Sequence, residues 1–297
     1  MITTRVGSLR HGSLFGTTIP MLPVGVPFTE ERGIGIIWDT SPYEDTLPEN
    51  VRTLRETVVQ ERTGRGERVT NGSVVVLRSW KTDEHGITLT FAEGRYFDCL
   101  TTHYSLDRKL SSGDSLRERV KIEDLLTPSG YARSPLSNLV GITACVVTSD
   151  GKIPLQERST KVSVEPNSFH ASIAEGLRPT DLSGGGGLTR ALVRSLRQEL
   201  GSSWNEDVTI VGGVLGISEE YLQPDIALVA RLPLTAEQVR ASAEQARGRW
   251  ERVQLHFVPA DKESVRMFMT NKHFSPHAVF ALALAESLGA FSWGSGG

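Results

Sequence analysis

Residues 188–201, Leu-Thr-Arg-Ala-Leu-Val-Arg-Ser-Leu-Arg-Gln-Glu-Leu-Gly, constrain the fold more than any other stretch of the chain. Leu188, Leu192, Leu196 and Leu200 recur every four residues and Val193 widens the stripe, which is the period of a helix with one buried face. Arg190, Arg194, Arg197, Gln198 and Glu199 fall on the other side. Thr189 is the expected N-cap and Gly201 the expected stop. Four glycines, Gly184 to Gly187, lead into the helix, and the apolar run 208–216 follows it. A glycine loop opening a helix between two strands is a frame that can hold a phosphate or a metal.

The elements around this helix alternate. Residues 139–147 are almost continuously apolar, as in a strand buried on both faces. Residues 153–158 pair with them across a turn at Ser149-Asp-Gly-Lys, and Phe169 to Ile173 is a third short strand. Strands are also expected at 226–232 and 253–259, and a helix at 234–247. Ser275-Pro276 opens a terminal helix that Gly289 ends. In the first half, 33–38, 73–80 and 86–91 have strand composition, and 48–62 places Val51, Leu54, Val58 and Val59 on one helical side. The fold class expected is α/β: a mixed sheet between helices, preceded by a smaller α+β unit. The divisions expected are an arm over 1–30, the small unit with its connector over 31–135, and the main domain over 136–297. Length agrees with about two domains.

A chemistry can be read from the helix face. Residues at i, i+3 and i+4 share a face, and Ser195, Gln198 and Glu199 have that spacing. Glu175 stands where the loop begins, and Glu219, Glu220 and Asp225 follow the next strand. Carboxylates gathered in this way hold divalent metal, and metal neutralises phosphates and activates water. His170 faces the presumed cleft from a strand end. Gly185 and Gly186 can approach a phosphate through their backbone, and Tyr221 can stack on a base, as can Trp204, Phe169 and Tyr104.

Residues 194–201 resemble the helical half of the Nudix box, R-E-U-x-E-E-x-G with U aliphatic. Arg194, Leu196, Glu199 and Gly201 match; Ser195 and Gln198 stand where that pattern has glutamates. The loop half, G-x5-E, aligns only with a gap, Glu175-Gly176 opening it. Over roughly 136–290 the order of elements is similar too, with a second strand ending in the basic Arg158. The resemblance implies a Nudix-like α/β/α sandwich with Glu199, Gln198 and Glu175 as catalytic residues and Mg²⁺ or Mn²⁺ held weakly by Glu199, Glu175 and Glu219. It implies hydrolysis of a nucleoside-diphosphate-linked or related small phosphorylated substrate, with Arg158 on the substrate side. Two other readings stay open: a non-catalytic module that binds a nucleotide or related ligand as a regulator, and a metal-free biosynthetic enzyme on the same fold.

Charge and cysteine content narrow the class further. A net charge of −3 gives no general electrostatic grip on nucleic acid. The two cysteines, Cys99 and Cys145, lie far apart in apolar surroundings, as free thiols of a reducing compartment do. No apolar run approaches the ~20 residues of a membrane span, and no leader pattern opens the chain, so a cytoplasmic protein without a membrane partner is expected. A homodimer is compatible with all of this. No Gly-x-Ser-x-Gly, His-Glu-x-x-His or CxxC motif offers a competing chemistry.

Overall fold

The computed structural model describes residues 12–29, 33–66, 69–162, 165–201 and 207–293. Its strands are β1 Ser13–Leu14, β2 Thr17–Thr18, β3 Met21–Thr29, β4 Gly33–Trp38, β5 Ser73–Asp83, β6 Gly86–Arg95 and β7 Gly141–Val147. They continue as β8 Lys152–Arg158, β9 Phe169–His170, β10 Ile173–Gly176, β11 Thr209–Ser218, β12 Pro224–Arg231 and β13 Arg252–Pro259. A five-stranded sheet runs β10-β7-β12-β11-β3, beside a three-stranded sheet β13-β8-β9 and a third sheet β4-β6-β5. In the large sheet β7 and β12 are parallel and the other neighbours antiparallel, so the sheet is mixed.

The apolar run of the central strand explains the layering. All seven residues of β7 are buried. Ile142, Ala144 and Val146 pack in one cluster with Leu192 and Leu196. Cys145 and Val147 pack in another with Ala281, Leu282 and Leu284. Successive side chains point to opposite faces, so one strand reaches two cores. The helix Leu188–Leu200 therefore covers one face of the sheet, and the helix Pro276–Ser287 covers the other. Leu192 and Leu196 lose all contact with solvent, a burial worth about 1.5–3 kcal/mol each.

Three local expectations change. Gly187, in extended backbone, is the N-cap of the first helix, and Thr189 lies inside its first turn. Phe169 to Ile173 is broken into β9 and β10, which belong to different sheets. A helix at Lys262–Met269 was not expected; its apolar side has only Val265 and Met269 buried, and Asp261 caps it by accepting from the Ser264 N–H. The terminal helix is capped as its sequence suggests, by Ser275 accepting from the Ala278 N–H.

Strand pairing and core both cross the boundaries expected at 30 and 135. Residues 21–29, expected in an arm, form the outer strand of the large sheet: β3 pairs with β11, with Ser218 opposite Met21 and Gly216 opposite Pro23. Val51, Leu54, Leu89 and Phe91 share one cluster with Leu192 and Leu196. The backbone of 75–77 bonds to that of 138–140 through Val140 N–H to Val75 O and Leu77 N–H to Asn138 O. Residues 1–11 lie outside the described residues. Among the described residues no helix is long and apolar enough to cross a membrane.

Candidate functional site: a polar knot beside a cleft

The helix Leu188–Leu200 is fastened to β10 by its arginine. Arg194 donates from Nε to Asp181 Oδ1 at 2.9 Å, from Nη2 to Asp181 Oδ2 and the Gly176 carbonyl, both at 2.9 Å, and from Nη1 to Glu175 Oε2 at 3.3 Å. Asp181 is buried, so this forked pair is shielded from solvent and geometrically specific. One turn on, the Gln198 amide donates to Glu175 Oε1 at 2.7 Å while its carbonyl accepts from Arg178 Nη2 at 2.6 Å. Glu199 accepts from Gln156 Nε2 at 2.6 Å, and that amide also donates to the Ser172 carbonyl at 2.8 Å. Arg252 donates to the backbone carbonyls of Glu199 and Ala243. Arg194, Gln198 and Glu199 are thus each committed to neighbours within the fold.

The same crowding sets the protonation states. Burial and the nearby Glu175 push the Glu199 carboxyl up to about 8, against a smaller opposing effect of the Gln156 bond. Glu175 is also raised by burial, partly offset by Arg194 and Arg178. Glu251 is raised by burial and by Glu175, with Arg158 opposing. Three carboxyls thus meet in a poorly hydrated region where a second negative charge is costly.

The residues expected at the site divide into two groups. Glu175, Gln198 and Glu199 come together as described, and Arg158 and His170 lie beside Glu175 in one cleft. Ser195, expected on the polar face, is fully buried and its Oγ has no partner among the described residues. Gly185 and Gly186 do not line that cleft. They turn the chain into the helix, Gly185 at φ +75°, and a Cβ on Gly186 would run into the Asp181 carbonyl. Glu219 is exposed at the β11–β12 turn, its N–H on the Pro20 carbonyl. Tyr221 donates to Glu165 Oε1 at 2.8 Å, packs on Tyr104 with ring centroids 5.6 Å apart, and lines a different cavity with Arg117 and Glu165. Trp204 lies outside the described residues.

Among the described residues no group of three or more His, Cys, Asp or Glu side chains is arranged to hold a metal ion. Glu175 and Glu199 are the two carboxyls that meet on the helix face, and each already accepts from a side-chain amide. They offer no preformed cage. With phosphate oxygens supplied by a ligand, two carboxylates are a number that Mg²⁺ commonly uses.

The cleft, about 510 Å³, opens where β7, β10 and β12 of the large sheet face β8 and β9. Arg158, Arg178 and Glu175 contribute to its lining, as do Val74, Leu139, Tyr96 and Tyr104. Sequence reasoning did not find three further polar groups in it: Gln223, Asp225 as a cleft residue, and His277. They come from the β11–β12 turn, the start of β12 and the first turn of the terminal helix, so only the folded chain unites them. Gln223 accepts from Tyr104 Oη at 3.3 Å. His277 Nδ1 stands 3.6 Å from Asp225 Oδ2. Burial alone would lower the His277 pKa, but Asp225, with smaller contributions from Glu165 and Glu220, more than offsets it, and the net shift is upward. His170 is only 7 % exposed, and burial, with Arg158 and His277 nearby, holds its pKa well below the usual range. It is therefore a neutral imidazole at pH 7, with one N–H donor and one acceptor.

No family model and no curated protein matches the chain. Solved structures align with about half of it. DR0079 from Deinococcus radiodurans is 16 % identical over 50 % of this chain and 80 % of its own, at a TM-score of 0.34. The MutT protein from Methanosarcina mazei is 14 % identical over 52 % and 92 %, at 0.35. A NUDIX hydrolase from Nitrosomonas europaea is 15 % identical over 51 % and 88 %, at 0.34. A likeness at this level assigns no activity, ligand or residue role.

Proposed function

We propose that residues 136–290 form a Nudix-type domain that binds a small phosphorylated, nucleotide-like ligand in the cleft beside the 188–200 helix. The observation that carries this reading is the lining of the cleft. Arg158 and Arg178 supply positive charge for phosphate oxygens, and Val74, Leu139, Tyr96 and Tyr104 supply an apolar and aromatic wall for a flat ring. The family reading rests on residues 194–201. Arg194 ties the helix to carboxyls in the preceding segment, and Gly201 ends it at φ +104°, where a side chain would strike the Ser242 carbonyl.

Binding can be tested by calorimetric titration with adenosine 5′-diphosphate, with and without inorganic pyrophosphate as competitor. One site is expected, with pyrophosphate competing. Arg178→Ala should weaken affinity by about ten- to a hundredfold, the worth of one charge-assisted contact of ~1.5–3 kcal/mol. Absence of binding at millimolar concentration, or binding indifferent to pyrophosphate, overturns the proposal.

One observation favours a second reading, metal-assisted hydrolysis: the mutual repulsion of Glu175, Glu199 and Glu251 in one buried region. A divalent ion brought by the ligand's phosphates would be held by Glu175 and Glu199 and would polarise a phosphoanhydride. Mg²⁺-dependent release of phosphate that Glu199→Gln abolishes would establish it; binding without turnover at saturating Mg²⁺ refutes it.

A further inference from the structure

Asp225 and His277 face each other in the wall of the cleft, one at the start of β12 and the other in the first turn of the terminal helix. His277 Nδ1 stands 3.6 Å from Asp225 Oδ2 as an ion pair. Room for the carboxylate comes from β7, where Gly141 lies opposite Asp225 and a Cβ would stand 2.5 Å from Asp225 Oδ1. His277 Nδ1 is sealed from solvent, so the 15 % of the side chain that stays exposed leaves Nε2 as the nitrogen open to the cleft. A carboxylate behind an imidazole fixes its orientation and tautomer and stabilises its protonated form. We propose that His277, held by Asp225, is the general base of this cleft and takes a proton from a water that attacks a phosphoanhydride of the bound ligand. The proposal rests on the reading that a phosphorylated ligand occupies the cleft.

The step balances with water as co-reactant. The water oxygen bonds to phosphorus as the bond from phosphorus to the bridging oxygen breaks. The water proton goes to His277 Nε2, and the electron pair of the broken bond leaves on the departing phosphate, beside Arg158 and Arg178. His277 then returns the proton to solvent. His170 completes the arrangement: it lines the same cleft, lies close enough to feel the charge of His277, and has no hydrogen-bond partner on either ring nitrogen among the described residues. Its N–H can hold the water that His277 deprotonates. Glu175 is worse placed for that work, since its carboxylate already accepts from Gln198 and Arg194. The 3.6 Å separation is long for a hydrogen bond, as such contacts often are before substrate tightens them. A tie that merely fastened the terminal helix to β12 would account for the ion pair, but not for the exposed nitrogen or the unpartnered His170 near it.

The signature of a base is its pH profile. Burial lowers the His277 pKa, while Asp225 on β12, Glu165 ahead of β9 and Glu220 in the β11–β12 turn raise it to a net upward shift. Neutral His170 on β9 and Arg158 at the end of β8 are the other titratable groups of that wall. A base works unprotonated, so phosphate release from adenosine 5′-diphosphate, followed in saturating Mg²⁺ from about pH 5 to 9, should rise with pH along a limb centred above that of an ordinary histidine. Asp225→Asn should move the limb to lower pH by about one unit. His277→Gln and His277→Asn should each lower kcat by about a hundredfold or more, with calorimetric affinity for adenosine 5′-diphosphate held within about threefold. Folding is checked by thermal melting. Should both His277 variants melt early, the wild-type limb and the NMR titration of His277, which should shift downward in Asp225→Asn, decide the matter. Turnover without the limb, folded His277 variants that keep turnover, or a limb and titration that Asp225→Asn leaves in place overturns the dyad. Binding without turnover also overturns it and leaves the phosphate-binding reading standing; if adenosine 5′-diphosphate does not bind, both fall.

Discussion

Glu199→Gln should stabilise the protein in alkali and change it little in acid. The Glu199 carboxyl sits at about 8 in the fold, against 4.5 for an ordinary glutamate. Between those values the native protein keeps a proton that the unfolded chain has released. The native state then binds more protons, so stability falls as pH rises, by ~1.4 kcal/mol per pH unit. The contribution is fully present below pH ~4.5 and lost as pH climbs to ~8. At pH 7 the loss is about 3 kcal/mol and above pH 8 about 5 kcal/mol. Glutamine keeps the shape and can still accept from Gln156 Nε2, but it has no proton to lose. Removal of a negative neighbour also relieves Glu175. Urea unfolding of both proteins at pH 4.5, 6, 7 and 8.5 should give curves that converge in acid and separate by a few kcal/mol at pH 8.5. A constant gap over that range, or a variant less stable at pH 8.5, would refute the reasoning.

Leu196→Ala should cost ~2–5 kcal/mol in urea unfolding, through lost burial and a cavity under the large sheet; a loss under 1 kcal/mol counts against the packing described. Arg194→Leu leaves the buried Asp181 without its guanidinium and Glu175 with Arg178 alone, and about 3–5 kcal/mol of stability should go with it, with equal melting temperatures the contrary result. Gln198→Glu replaces the amide that meets Glu175 at 2.7 Å with a carboxylate. It should lower the melting temperature in chelator and recover it in Mg²⁺, whereas a Mg²⁺-insensitive melt would show that no ion enters there.

The sheet's centre and both covering helices were legible because their residues repeat at the period of the structure. The every-fourth leucines of 188–200 face a sheet, and the unbroken apolar run of β7 serves two cores. β3 was not legible: Pro23, Gly25 and Pro27 mask its strand character, and an outer strand tolerates them because one edge needs no partner. Its place depends on pairing with β11, almost two hundred residues away in sequence. The cleft's inner wall was hidden for a similar reason. His277 sits in a helix first turn and Asp225 at a strand start, positions that are ordinary until β12 lies beside β7 and the terminal helix covers them.

The departures from the Nudix pattern make physical sense once the packing is known. Ser195 occupies a position with no solvent contact and, among the described residues, no partner for its own hydroxyl. A carboxylate there would be buried without a counter-charge, since the nearest guanidinium on the same helix, Arg194, is already shared between Asp181 and Glu175. Gln198 stands where a glutamate would confront Glu175, and its amide turns that repulsion into a 2.7 Å hydrogen bond. Glu199 keeps its carboxyl, and burial together with Glu175 favours a proton on it, against the opposing effect of the Gln156 donor. Each replacement removes a negative charge from a region that already holds Glu175, Glu199 and Glu251. On the helix face Glu175 and Glu199 are held by hydrogen bonds from Gln198, Arg194 and Gln156, while Arg158, His170 and Asp225 line the cleft beside it.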